Sequence, residues 1–300
     1  MDNIAHGLIG AVIGYCGFRQ RGGRAALWAC IAAAEFSDAD IVLAFVNGES
    51  YLRWHRAFTH SALALPFWAA LVAGAFWAFS RRSQFSVLWQ AAMAGMASHL
   101  FLDWITNYGT MLLWPVSEAR FALNWVFIVD PYVWAMLGVA LWLAVRSQRP
   151  VMARTGLAVV SGYFLLCAGS HMVAWRTAPK PLGVFAQPMN PFRWSVVWSD
   201  DRGIHWSDGR HNETFPVFRD DKLLPKAEVT SEVKLFRWFA AIPLVERREE
   251  NGLTVLRYRD LRFRTRMPWG ATNEGMFVVA KVSFDRAGNL VSSVLTSERG

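Results

Sequence analysis

Trp54-His55-Arg56-Ala57-Phe58-Thr59-His60-Ser61 opens a run of mostly apolar sequence, and His99-Leu100-Phe101-Leu102-Asp103 closes it. Four potential metal ligands, His55, His60, His99 and Asp103, sit at the ends of oily segments. Ionisable groups are costly in such surroundings and so mark a site. The spacing of His99 and Asp103 is the sharpest geometric statement. On an α-helix, residues four apart share one face, roughly 6 Å apart along the axis, close enough to hold one ion.

The chain of 300 residues is 54% hydrophobic with sixteen Trp, too oily for an average soluble protein. The oil is uneven. Residues 1–175 carry 11 Lys and Arg against 8 Asp and Glu, whereas residues 176–300 carry 20 against 15. This step predicts a helical transmembrane domain over 1–175, a Pro-rich linker over 176–192 (Pro179, Pro181, Pro188, Pro191) and a β-rich domain over 193–300. The net charge of +8 is spread out, with no long basic block, so no nucleic-acid partner is expected; an anionic bilayer surface explains it equally well. Cys16, Cys30 and Cys167 all lie in apolar segments and offer neither a disulfide framework nor a zinc knuckle. Met1-Asp2-Asn3 is not a basic leader, so no cleaved signal peptide is expected.

Six apolar runs, at 4–18, 25–46, 62–79, 85–102, 131–145 and 155–175, predict about six spans. The basic stretches 19–24, 81–82 and 146–154 follow the first, third and fifth. Positive-inside orientation makes all three cytoplasmic at once. His6, Asp38, Asp40, His55, His60, His99, Asp103 and Asp130 then all fall on the extracytoplasmic face. Trp54, Trp104, Trp114 and Trp125 read as interface anchors.

The C-terminal part predicts hairpins around 200–203 and 285–289, with strands Met276–Phe284 and Leu290–Leu295 beside the second. A short amphipathic helix is expected over 231–240, with Val233, Phe236 and Phe239 on one face. Leu253 to Arg264 alternates but slips phase at Asp260, as a bulge or turn would require. The arginines of 257–266 read as a solvated face, with a docking surface for anionic lipid or polymer as the sharper alternative. His171 reads as an ordinary polar helix end, and His205 and His211 as surface residues.

Taken together, His6, Asp38, Asp40, His55, His60, His99 and Asp103 form a nitrogen and oxygen donor set without sulfur. Such a set suits Zn²⁺ first, with Mn²⁺ or Mg²⁺ as alternatives, and one or two ions. The structural alternative is an interfacial polar network. Arg56 reads either as a clamp for a phosphate oxygen or as an arginine facing lipid headgroups, and an unligated Asp38, Asp40 or Asp130 is placed to take a proton from water. Thr59 and Ser61 read as caps or supports, because no base-and-orienter set accompanies them.

These motifs resemble the YdjM-like family of predicted membrane-bound metal-dependent hydrolases. The matching residues are Asp2 with His6, Asp38-Ala-Asp40, His55-Arg56-Ala-Phe-Thr59-His60-Ser61, His99-Leu-Phe-Leu-Asp103-Trp, Tyr108-Gly109-Thr110, Leu113-Trp-Pro115 and Asp130-Pro131. Asn190-Pro191-Phe-Arg-Trp194 is similar to the family's lead-in to a C-terminal domain, and Ser37 stands where the family commonly has Pro. The resemblance implies a metal-dependent hydrolase of the bacterial cytoplasmic (inner) membrane. The His99 and Asp103 element is also similar to that of the helical zinc phospholipase C group, which by analogy points to a phosphoester in a lipid or lipid-linked substrate. Two rivals share the ligands: a divalent-metal transporter, whose site would lie near the membrane midplane, and a membrane scaffold with a structural metal.

Overall fold

A computed structural model describes residues 1–80, 83–217, 221–274 and 278–296. Two sequence expectations, the basic pair Arg81-Arg82 and the start of a strand at Met276, lie outside the described residues. The chain divides into two compact units. One comprises Met1–Val42 and Trp54–Gly169, the other Leu43–Arg53 and Ser170–Gly300.

The first unit is helical. Helix α1 (Asn3–Ile13) starts where the Asp2 side chain accepts from Ala5 N at 3.1 Å, satisfying one of the free amides of the first turn. A π-helical turn (Gly14–Phe18) leads into α2 (Arg19–Phe36), which is interrupted at Gly22 and Gly23; Gly23 has φ +65, the left-handed conformation that favours glycine. A 3₁₀ segment (Ser37–Phe45) follows, then α3 (Gly48–Trp54), which belongs largely to the second unit, and a 3₁₀ turn (Phe58–His60). Then come α4 (Leu65–Phe79), α5 (Phe85–Trp104), α6 (Pro131–Ser147) and α7 (Pro150–Thr177). Asp130 caps α6, accepting from Tyr132 N at 2.9 Å and Val133 N at 3.3 Å, with Pro131 in the first turn.

The expected six spans are not what the helices provide. Among the described residues, α5 and α7 are long and apolar enough to cross a membrane, and the bent pair Gly48–His60 and Leu65–Phe79, turned by 79°, makes a third if counted as one span. The reason is local. Helix α1 has 11 residues, α6 has 17, and the apolar run 25–46 stops being an α-helix at Phe36. A bilayer core of about 30 Å needs about 20 helical residues.

Small residues bring α1, α2 and α5 together. A Cβ on Gly95 would fall 2.2 Å from the Cys30 carbonyl oxygen, and one on Gly10 would fall 2.7 Å from the Ala34 Cβ. Ala26, Ala29, Cys30, Ala33 and Ala34 are fully buried in the same contact. This close approach fixes the helices that carry the candidate ligands.

The second unit holds two antiparallel four-stranded sheets. The first has the order β1 (Gly183–Gln187), β2 (Asn190–Asp200), β3 (Gly203–Ser207), β4 (Asn212–Phe215). So part of the expected linker 176–192 is a strand, and α7 runs on to Thr177. Two short helices follow, α8 (Leu224–Glu228) and α9 (Ser231–Phe239). The second sheet has the order β10 (Leu290–Thr296), β9 (Val279–Phe284), β6 (Leu253–Asp260), β5 (Pro243–Glu250). Val233 and Phe236 of α9 pack on Leu256, Tyr258, Val282 and Phe284 of this sheet. At Asp260 the chain makes a 3₁₀ turn (Leu261–Phe263) before β7 (Arg264–Arg266), which pairs with β8 (Thr272–Glu274).

The arginines expected to form a solvated face are inside. Arg257, Arg259, Arg262 and Arg264 are all buried. Charges can be buried when paired, and these have partners. Arg259 pairs with Glu246, Arg262 with Asp260 at 3.0 Å, and Arg264 with Glu213 at 2.5 Å. Arg262 also lies between the Phe239 and Phe263 rings, 4.7 and 4.5 Å from their centroids. Alternation alone cannot distinguish a wet face from a face of buried ion pairs.

Candidate metal centre

Three elements meet at the site. The 3₁₀ segment after α2 carries Asp38 and Asp40, the 3₁₀ turn before α4 carries His60, and the last turns of α5 carry His99 and Asp103. One ligand atom from each of Asp38, His60, His99 and Asp103 lies within 4.8 Å of the other three. The pairs are tight. His60 Nε2 is 3.1 Å from His99 Nε2, 3.2 Å from Asp103 Oδ2 and 3.6 Å from Asp38 Oδ1. His99 Nε2 is 3.4 Å from Asp103 Oδ2 and 3.6 Å from Asp38 Oδ1. Donors about 2.0–2.1 Å from a tetrahedral ion stand about 3.3 Å from one another, so these separations are those of ligands around one ion.

The hydrogen bonds behind the donors favour the same reading. His99 Nδ1 donates to the Ala34 carbonyl at 2.6 Å, which leaves Nε2 with a free lone pair. His60 Nδ1 lies 3.4 Å from Asp40 Oδ2 and 3.0 Å from Thr59 Oγ1. Asp103 Oδ2 is buried and accepts no hydrogen bond, an expensive arrangement unless a cation meets it. Asp103 meets the Arg56 guanidinium and the Met1 amino group, and Asp38 and Asp40 add two further carboxylates, so neutral imidazoles leave the set negatively charged. A divalent cation offsets that charge. The donor set therefore fits a metal ion, and this buried cluster could hold one.

Asp40 is engaged elsewhere. Its Oδ1 meets His55 Nδ1 at 2.8 Å, and its Oδ2 accepts from Arg56 N at 2.9 Å and Thr59 Oγ1 at 3.0 Å. It thus supports His55, Arg56, Thr59 and His60 from behind. His55 packs edge-on against Tyr108, with ring centroids 5.3 Å apart. His6 stacks on His99 and its Nε2 is 3.3 Å from Asp103 Oδ1. Asp130 is not in the cluster. It caps α6 and accepts from Tyr163 OH at 2.7 Å.

Arg56 is held on several sides. Nη2 is 2.9 Å from Asp103 Oδ1, Nη1 is 3.4 Å from Thr106 Oγ1, and the guanidinium lies 4.7 Å from the Tyr108 ring centroid. Its φ of +62 is unusual for a side-chain-bearing residue. The strain is stabilised by the Asp40 bond and by the Arg56 carbonyl, which accepts from Met111 N at 3.0 Å. Asp103 therefore presents one oxygen to the histidine cluster and the other to Arg56.

Sequence reasoning missed Glu35, whose Oε2 accepts from Asn3 Nδ2 at 3.2 Å. It stands one helical turn before Asp38, a spacing that could have drawn attention to it. It also missed Thr106 and the Ala34 carbonyl, and it gave Tyr108 only as part of the family motif, because these contacts depend on tertiary packing.

The fold and the cluster define a class: a helical membrane protein with a buried His and Asp centre able to hold a metal. The chain belongs to the YdjM inner membrane protein family, whose family model matches residues 1–174. It is also similar to "Uncharacterized protein YfhP" of Bacillus subtilis (strain 168), 28% identical over 175 residues. That alignment covers 55% of this chain and 53% of the relative, so the chain spans about half the length of this curated relative. No solved structure matches.

Proposed function

We propose that this chain is a membrane-bound metal-dependent hydrolase that cleaves a phosphoester in a lipid or lipid-linked substrate. The observation that carries this reading is the set of five contacts of 3.1–3.6 Å linking His60, His99, Asp38 and Asp103. Asp38 Oδ1, His60 Nε2, His99 Nε2 and Asp103 Oδ2 would hold Zn²⁺, with Mn²⁺ or Mg²⁺ as alternatives. Such an ion acidifies water and polarises a phosphoryl oxygen.

The other roles belong to the chain. Asp40 fixes the His60 ring and its tautomer. Arg56, sharing Asp103 with the cluster, binds and orients a phosphoryl oxygen through its fork of donors. Asp38 is the least buried member of the set, with a side chain 15% exposed, so its place on the ion is the one nearest solvent. The apolar faces of α5 and α7 suit a substrate delivered from the bilayer. The extracytoplasmic placement of the site and of the domain over 193–300, expected from positive-inside alternation over six spans, does not follow from the two or three spans that the helices provide.

The test is elemental analysis of detergent-purified protein beside His60→Ala and Asp103→Ala, with a phosphoester screen that includes phospholipids. About one transition-metal ion per chain, lost in both variants together with hydrolysis, supports the reading. Hydrolysis that survives loss of the metal sinks it.

A further inference from the structure

Beside the four-donor set stands a further buried imidazole. His6 is fully buried in α1, and neither of its ring nitrogens makes a hydrogen bond. A buried imidazole whose ring nitrogens lack a well-formed hydrogen bond is costly. Its position is fixed all the same. The His6 and His99 rings stack with centroids 3.7 Å apart and planes 18° apart. His99 Nε2 is 3.4 Å from Asp103 Oδ2, and His6 Nε2 is 3.3 Å from Asp103 Oδ1. Two nearly parallel imidazoles thus address the two oxygens of one carboxylate.

We propose that Asp103 bridges two divalent cations, the second held by His6 Nε2 and Asp103 Oδ1. This deepens, and rests on, the metal reading given above. Ions in two-metal hydrolytic sites stand about 3.5–4 Å apart, which is the spacing of the imidazole stack. Asp103 Oδ1 is already where positive charge gathers, since the Met1 amino group and Arg56 Nη2 also meet it. A cation beside His6 takes over the amino group's contact, one positive group replacing another, so the carboxylate stays compensated. Two protein ligands leave the remaining positions of the second ion open to water and substrate oxygens, as catalytic ions require. With both ions bound the site is net positive, which suits an anionic phosphate group.

The experiment is titration of metal-stripped full-length protein in detergent with Zn²⁺ alone, and with Mn²⁺ alone. Wild type is expected to bind two equivalents and His6→Gln one, with unchanged helical circular dichroism. X-ray absorption of the Zn²⁺-loaded wild type supplies a readout that needs no variant: a metal–metal shell at about 3.5–4 Å is expected. Saturation at one equivalent with no such shell overturns the bridge but leaves the four-donor site standing, provided that equivalent is lost in His60→Ala. Binding of no metal overturns both.

Discussion

Asp40 and His60 form a carboxylate–imidazole pair with the carboxylate behind the ring: Asp40 Oδ2 lies 3.4 Å from Nδ1, while Nε2 meets Asp38, His99 and Asp103. Such a pair fixes the tautomer and raises the basicity of the outer nitrogen. Asp40→Ala is therefore expected to weaken metal affinity by about 10- to 100-fold without changing which residues bind. Asp103→Ala abolishes binding. Competition with a chromophoric chelator measures both, and an unaltered affinity in Asp40→Ala would detach Asp40 from the centre.

Arg56 should tolerate no conservative exchange. Lysine keeps the charge but has no fork with which to hold Asp103, Thr106 and a phosphoryl oxygen together. A lost charge-assisted hydrogen bond is worth about 1.5–3 kcal/mol, so kcat/KM for a phosphoester should fall roughly 10- to 100-fold in Arg56→Lys. Metal content should be unchanged. A variant that loses its metal as well would show that Arg56 builds the centre rather than binding the substrate.

Helix packing offers a test independent of chemistry. Gly95→Ala puts a methyl group where the Cys30 carbonyl stands, and the backbones of α2 and α5 must move apart. The expected loss is about 1–3 kcal/mol, read as a lower Tm in detergent. Gly74→Ala is the control, because a Cβ there meets nothing within 4 Å. In a helix that change is neutral or stabilising by up to about 1 kcal/mol. Equal effects at the two positions would contradict the packing described for α2 and α5.

In the second unit, stability should depend on pH through Asp208. Burial pushes its carboxyl up, but the N–H groups of Arg210 and His211 and the Arg193 guanidinium outweigh burial and hold it below the usual carboxylate range. A group depressed in the folded state contributes stability that is present above its unfolded value of about 4 and lost as pH falls through the folded value. Asp208→Asn should therefore cost about 1–3 kcal/mol at neutral pH. Melting curves of the two proteins should draw together as pH falls below about 4 and meet only below the folded value. A gap that persists at low pH would assign the loss to shape rather than charge.

The cluster was legible in sequence to the extent that it is local. His99 and Asp103 share a helix face by spacing alone, and His60 was marked by its polar neighbours in an apolar stretch. What a residue does behind the first contact was not legible. Asp38 and Asp40 differ by two positions, yet one faces the histidines and the other holds them from behind. Only the 3₁₀ path of Ser37–Phe45 separates the two roles. The span count failed for a related reason. Hydropathy registers oil along 25–46 but not the end of the α-helix at Phe36, whereas the break at Gly22 and Gly23 is legible as a glycine turn. Arg257 to Arg264 misled because their partners Glu213 and Glu246 come from other strands. Gly183–Gln187 was hidden among prolines, and its strand identity comes from pairing with β2.

The candidate donors are scattered from Asp38 to Asp103, and no disulfide cross-links their elements, since Cys16, Cys30 and Cys167 are free. An ion bound there acts as a cross-link closing a loop of chain, and its binding energy becomes stability of the segment it ties down. The two ends of that loop are unequal. His99 and Asp103 sit on a 20-residue helix, whereas Asp38 and His60 sit on 3₁₀ turns with few helical bonds of their own. Withdrawing the ion should thus release amide protons to exchange across 37–60 long before α5 yields, so that the metal sets the lifetime of one wall of its own site.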